Sequence, residues 1–301
     1  MHIPDGFLTN RIAVSLDVIS TAGILYTARR AKVDLSGRIV PVMGVLAAFV
    51  FAAQMLNFPV LGGTSGHLIG GALLAILLGP MTGFLTIATV IIAQALFLQD
   101  GGLVALGANV FNIGAVTSFS GYAIFKLLNG GSSRGKRLLF SGFLAGWLSL
   151  VISAACCALQ LSLSGAIPLR VGLTTMVGYH IVVGVIEGML TAGVLSFLLK
   201  VRPDLMKIDG ASRFGFADWV GAIIFVAIPA TILVLAGSSA LPDPLQKLLA
   251  FSPVPAESPV PEGLFSAGRY ADYLLRAAIF VALIAVGVVV SIMSHRRSHR
   301  S

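Results

Sequence analysis

The chain has 301 residues, 57% of them hydrophobic and 11% charged, with a mean hydropathy of +0.97 and a formal net charge of +8. A soluble domain carries about 25% charged residues, so composition excludes a soluble globular protein and assigns an integral membrane protein. The positive balance calls for no nucleic acid, because most Lys and Arg fall between apolar stretches, where they set topology.

The first residues read Met-His-Ile-Pro-Asp-Gly. With His2 in second place, one short piece of backbone offers three nitrogens: the Met1 α-amine, the residue-2 amide and the His2 imidazole. These close a five- and a six-membered chelate ring and fill three corners of a square, the geometry Ni(II) and Cu(II) prefer. The chelate needs an unblocked terminus, and the absence of a basic n-region before a short apolar run predicts no cleaved leader. Pro4 fixes its own backbone and biases Ile3 toward extended conformations. Pro4-Asp5-Gly6 is a turn signal that would push the first two residues back into the outer mouth as a plug. Asp5 is read as a turn former first and as a partner that orients an imidazole second.

Apolar stretches follow near 12–28, 39–58, 65–79, 81–98, 107–128, 138–162, 174–199, 218–237 and 273–294, the third being short and interrupted by glycines. The expected fold class is an all-α integral membrane protein, a bundle of about nine transmembrane helices. Four basic clusters orient it: Arg29, Arg30, Lys32 and Arg38; Lys126, Arg134, Lys136 and Arg137; Lys200, Arg202, Lys207 and Arg213; and Arg296, Arg297 and Arg300. Placing all of them inside puts the N-terminus outside and the C-terminus in the cytoplasm.

That topology brings distant polar residues to the level of Met1. The second helix ends outward at Asn57, and Thr64 or Ser65 can cap a third helix with His67 in its first turn. The fourth helix climbs to Gln94, while Asn109 and Asn112 open the fifth. Asn57, Ser65, Gln94, Asn109 and Asn112 therefore line a site or bridge helices, and His67 supplies the fourth corner of the square. His180 and Glu187 lie seven residues apart on one face of the seventh helix. They act either beneath the metal and in its release, or as an interhelical contact.

The run MHIPDGFL, the stretch PVMGVLAAFVFAAQMLNFPVLGGTSGHLIGGALLAILLGP and the segment DGGLVALGANVFN closely resemble the CbiM/NikM family. Its members are substrate-capture (S) components of energy-coupling-factor transporters for cobalt and nickel. The resemblance covers residues 1–200, including Tyr179-His180 and Glu187-Gly188, and implies that Met1, His2 and His67 carry the metal. It also implies a T-type transmembrane subunit and ABC ATPases as partners, a bacterial cytoplasmic (inner) membrane location, and no catalysis by this chain. From about residue 215 the chain resembles the NikN-type companion subunit, two helices around an outer loop with Pro-Asp-Gly-Leu-Glu. Here Pro242-Asp243-Pro244-Leu245-Gln246 replaces Gly and Glu, and Ala271-Asp272-Tyr273 precedes the last helix. Residues 1–205 are thus expected to form the capture domain and 206–301 the companion, joined through Pro203, Asp204, Asp209 and Gly210. The fusion favours Ni2+ as the transported substrate, with Co2+ for cobalamin synthesis as the alternative.

Other features carry less. Gly130 to Arg137 approaches a phosphate-binding loop but ends in Arg137 where Mg2+ needs a hydroxyl, and follows a helix rather than a strand. ATP must then be spent by another subunit. Cys156 and Cys157 are adjacent in an apolar run and expected to be inert. Arg170, Lys247 and Arg269 read as solvated outer charges, and His295 and His299 as tail residues near lipid headgroups. A channel or uncoupled carrier would need polar residues on the inner half. A metalloenzyme would need a base beside an open coordination position, and Glu187 lies too deep.

Overall fold

The computed structural model describes residues 1–31, 39–55, 58–60, 64–130, 135–201, 243–250 and 252. Helix α1 (Asn10–Ala31) is followed by α2 (Ile39–Met55) and a short antiparallel hairpin, β1 (Phe58–Val60) against β2 (Thr64–Gly66), with Pro59 opposite Ser65. Then come α3 (Gly71–Leu78) and α4 (Pro80–Ala93), whose last turn widens into the π-helical segment Gln94–Leu98. Helix α5 (Leu106–Asn109) runs through a second π-helical segment, Val110–Val116, into α6 (Thr117–Asn129). Two long helices, α7 (Gly135–Leu163) and α8 (Leu169–Val201), pack side by side, and a short α9 (Pro244–Leu249) closes the described chain.

Among the described residues, four helical spans are long and apolar enough to cross a membrane: Asn10–Arg30, Pro80–Leu98, Gly135–Leu163 and Leu169–Leu199. Helix α2 is a shorter apolar helix, and α5 to α6 occupies the expected 107–128 stretch. The expected helices at 218–237 and 273–294 lie outside the described residues, as does the junction at 203–210. Val14, Val18 and Leu25 on α1, Phe140 on α7 and Met189 on α8 are exposed, as outward faces in contact with lipid require. The interior is apolar and tight. A Cβ on Gly83 of α4 would come within 2.6 Å of the α3 backbone at Ala75, a close approach that small residues permit between membrane helices.

The third helix departs from expectation. It starts at Gly71, so His67 stands in irregular chain after β2 rather than in a first turn capped by Thr64 or Ser65. Gly70 is left-handed (φ 79°), and a Cβ there would meet Val50 at 2.7 Å. A residue in that conformation cannot continue a helix backward.

Candidate metal centre

The N-terminal strap lies inside the protein: Met1, His2 and Ile3 are 2%, 7% and 0% exposed. Buried extended backbone must find hydrogen-bond partners, and Asn109 supplies them. Its Oδ1 accepts from the Ile3 N–H (2.7 Å), and its Nδ2 donates to the Ile3 carbonyl (3.0 Å), which also accepts from the Gly102 N–H (2.9 Å). One side chain thus reads the strap as a neighbouring strand would. Gly101 is left-handed (φ 93°), and a Cβ there would come 3.1 Å from the Cβ of His2. The glycines let the 100–102 turn lie flat on the strap.

Residues 5 and 6 form the expected turn. The Asp5 carboxylate, however, does not orient an imidazole. It accepts the backbone N–H groups of Leu103 (3.0 Å), Val104 (2.8 Å) and Ala105 (3.1 Å), tying the strap's far end to the segment before α5.

The Met1 amine lies 2.7 Å from His67 Nε2 and 3.2 Å from Asp243 Oδ2. His67 Nδ1 is 3.1 Å from the Leu68 carbonyl. A carbonyl only accepts, so Nδ1 carries the proton and Nε2 turns its lone pair to the amine. The His2 and His67 rings stack, with centroids 5.5 Å apart and planes at 15°. His2 Nδ1 lies 3.3 Å from Asp100 Oδ1. His2 Nε2 and both polar atoms of Gln94 are buried without a hydrogen-bond partner, although Gln94 stands beside the His2 ring.

Burial holds both imidazoles below their usual range. For His67, the terminal amine and His2 reinforce the effect; for His2, the Asp100 carboxylate opposes it. Burial pushes Asp100 up, but attraction to His2 and His67 when these are protonated, and to the amine, outweighs it and leaves its carboxyl low. Burial likewise raises Asp243, yet the amine and the Gln246 N–H bring it down to about 2. The centre therefore presents neutral imidazoles between two carboxylates, the state in which nitrogen lone pairs are free for a cation.

Metal–nitrogen bonds of about 2.0 Å put adjacent corners of a square about 2.8 Å apart, which matches the amine-to-His67 separation of 2.7 Å. Among the described residues no three His, Cys, Asp or Glu side chains converge as a ligand set, so backbone nitrogen is needed to complete one. A small cavity of about 10 Å³ abuts the amine, lined by Met1, His67, Ile69, His180, Val183 and Asp243 among others.

The remaining expected residues are dispersed around this centre. His180 borders the cavity, and its Nδ1 donates to the Met176 carbonyl (2.7 Å). The Glu187 carboxylate accepts the Ile69 and Gly70 N–H groups. Asn112 points away, exchanging two hydrogen bonds with the Gln160 amide on α7 (2.7 and 2.8 Å). Ser65 is described only as a strand position in β2, and Asn57 lies outside the described residues. Cys157 is buried and Cys156 half-buried, both unpaired. Sequence reasoning assigned no role to Asp100 or Asp243. Asp100 was signalled by the Gln99-Asp100-Gly101 turn, whose left-handed Gln99 (φ 55°) sits just before it. Asp243 was signalled by its place as the N-cap before Pro244, with Gln246 completing a capping box.

The model of the family described as "cobalt uptake substrate-specific transmembrane region" matches residues 2–205. A protein of Haloquadratum walsbyi named for metal transport is 42% identical over 208 residues, covering 68% of this chain and 93% of its own. A protein of Archaeoglobus fulgidus named as a fused nickel transport protein is 36% identical over 267 residues, covering 88% and 86%. A crystal structure of a transition metal transporter aligns with a TM-score of 0.62 at 30% identity, covering 69% of this chain and 97% of that one. The chain belongs to the CbiM family, as a substrate-specific transmembrane component of cobalt or nickel transport and not an enzyme.

Proposed function

We propose that this chain captures Ni2+ at the outer face through four nitrogens: the Met1 amine, the residue-2 amide, the His2 imidazole and His67 Nε2. The observation that carries the proposal is the 2.7 Å approach of the buried amine to a His67 nitrogen whose tautomer leaves it a lone pair. A chelate through the residue-2 amide closes only on His2 Nδ1, so loading exchanges its contact with Asp100 for a metal bond. His2 Nε2–H is then left toward Gln94, whose carbonyl is without a partner. Outer partners of this kind fix ring orientation. The square disfavours ions that prefer octahedral oxygen sites.

The relative named for fused nickel transport and its 88% coverage of this chain support nickel and a capture domain (1–205) with a companion domain (206–301). Co2+ is the alternative, supported by the family's description. We place the chain in a cytoplasmic membrane with nine spans and the N-terminus outside. It works with a T-type subunit and ATPases of the energy-coupling-factor class, a reading supported by Arg137 standing where a phosphate-binding loop needs a hydroxyl for Mg2+. Titration of the purified chain with Ni2+ and Co2+, beside His67→Ala and an acetylated terminus, tests the reading. Both changes should weaken the preferred metal at least about tenfold. Unchanged binding in both would place the metal elsewhere.

A further inference from the structure

Glu187 is 2% exposed in the middle of α8, and among the described residues no Lys or Arg pairs with it. A carboxylate buried at membrane depth is expensive unless its oxygens are satisfied. Both are. Oε2 accepts from the Ile69 N–H at 2.8 Å and Oε1 from the Gly70 N–H at 2.7 Å, at the start of α3. The Ile69 carbonyl is taken from the other side by Gln54 Nε2 of α2 (2.7 Å). Side chains of α2 and α8 thus hold both backbone polar groups of Ile69, two residues after His67.

The other three nitrogens rest on a different support. Asn109, Gly102 and the 103–105 amides hold the strap, all in α5 or the loop before it. Apart from the amine's contact with Asp243 at the N-cap of α9, the square is divided: the strap side belongs to α5 and its preceding loop, the His67 side to α2 and α8.

We infer that Glu187 is a positioning residue that fixes His67 to α8, so that displacement of α8 against α5 withdraws the fourth nitrogen from the other three. This rests on the metal square proposed above. His180 and Val183 carry α8 up to the edge of the same cavity, so the helix meets the centre at two levels. A coupling subunit that shifts α8 would open the site without touching any ligand.

The test is a double-mutant cycle on the full chain, reading Ni2+ affinity and the visible absorption band of the bound ion. Glu187→Ala should weaken Ni2+ by about 10–100-fold, as loss of an outer partner does, and move the band toward that of His67→Ala. Glu187→Gln keeps its shape and one acceptor, preserves folding, and should fall between. In a His67→Ala background, the further loss from either Glu187 change should shrink below about twofold, because the residue through which Glu187 acts is gone. A merely structural glutamate would lower thermal stability equally in both backgrounds and leave the band in place. If His67→Ala weakens binding while both Glu187 variants bind as the parent does, the inference is overturned and the metal square stands. If His67→Ala itself leaves affinity unchanged, both fall.

Discussion

Blocking the terminus with two added residues, Gly-Ser, is the sharpest perturbation of this centre. A single added residue would not serve. It puts the histidine third, where the amine, two amides and Nδ1 complete a square without His67. Two residues convert the Met1 amine to an amide and leave no such chelate. The amine's contacts are 2.7 Å to His67 and 3.2 Å to Asp243, with side-chain exposures of 1% for Met1 and 14% for Asp243. Losing even a partner that orients a metal ligand costs about 10–100-fold in affinity. Losing the ligand itself should cost at least the upper end, about a hundredfold or roughly 3 kcal/mol. No relief comes from space, since the adjoining cavity of about 10 Å³ admits one water at most. Calorimetric titration with Ni2+, beside a thermal melt that shows the bundle intact, should therefore find at least a hundredfold loss. An affinity within about threefold of the free-terminus protein would refute the assignment of the amine as a ligand.

Acid should undock the strap. His2 and His67 are held below 6.5 in the folded state, so the undocked strap binds protons that the docked one does not. Docking then weakens as pH falls below 6.5, by up to about 1.4 kcal/mol per pH unit for each histidine, and His67 continues to about 3. Asp243, lowered to about 2, adds a loss only below the ordinary carboxylate value of 3.8. The melting temperature of the metal-free protein should fall from about pH 6.5 to about 4.5, and a flat profile would contradict the buried neutral imidazoles. Asn109→Leu strands the Ile3 N–H without a partner. At about 3 kcal/mol for the lost bonds and the orphaned donor, the Met1 amine should react with an acylating reagent up to roughly a hundredfold faster. Unchanged labelling would mean that the strap is held otherwise. Gly102→Ala drives a Cβ into Asp5 and should cost about 1–3 kcal/mol as the carboxylate loses its amides. Gly178→Ala, with open space around it, is the control and should melt with the parent.

The centre was legible where chemistry depends on position along the chain. His2 and Met1 are covalent neighbours, so their chelate can be written from the sequence, and charge topology alone raised His67 to their level. Partners that meet only through folding were not legible. Asp5 looked like a turn former because its turn is local, while the amides it accepts lie 98 to 100 residues away. The third apolar stretch was drawn from residue 65 because hydropathy does not register a left-handed glycine, and Gly70 delays the helix to Gly71. Asp243 was passed over because its loop departs from the family signature, yet its carboxylate reaches the terminal amine.

Helix geometry explains why Asn109 and Asn112, equally polar and three residues apart, have different work. In a regular α-helix such residues share a face, and both would turn either to the strap or to α7. The π-helical segment Val110–Val116 begins between them. Widened turns of this kind recur at functional sites, and this one spreads the two amides apart. Asn109 faces Ile3, and Asn112 faces Gln160 while its carbonyl accepts from Ser153 Oγ at 2.7 Å. The other π-helical segment, Gln94–Leu98, begins beside the His2 ring, and the left-handed Gln99 after it precedes Asp100, whose carboxylate lies 3.3 Å from His2. Both irregular turns therefore lie where a polar side chain must leave its helix's packing face to reach the first three residues. The cost of distorting two helices falls at the strap and nowhere else among the described residues, as a site built to hold a short, polar chain end inside an apolar bundle requires.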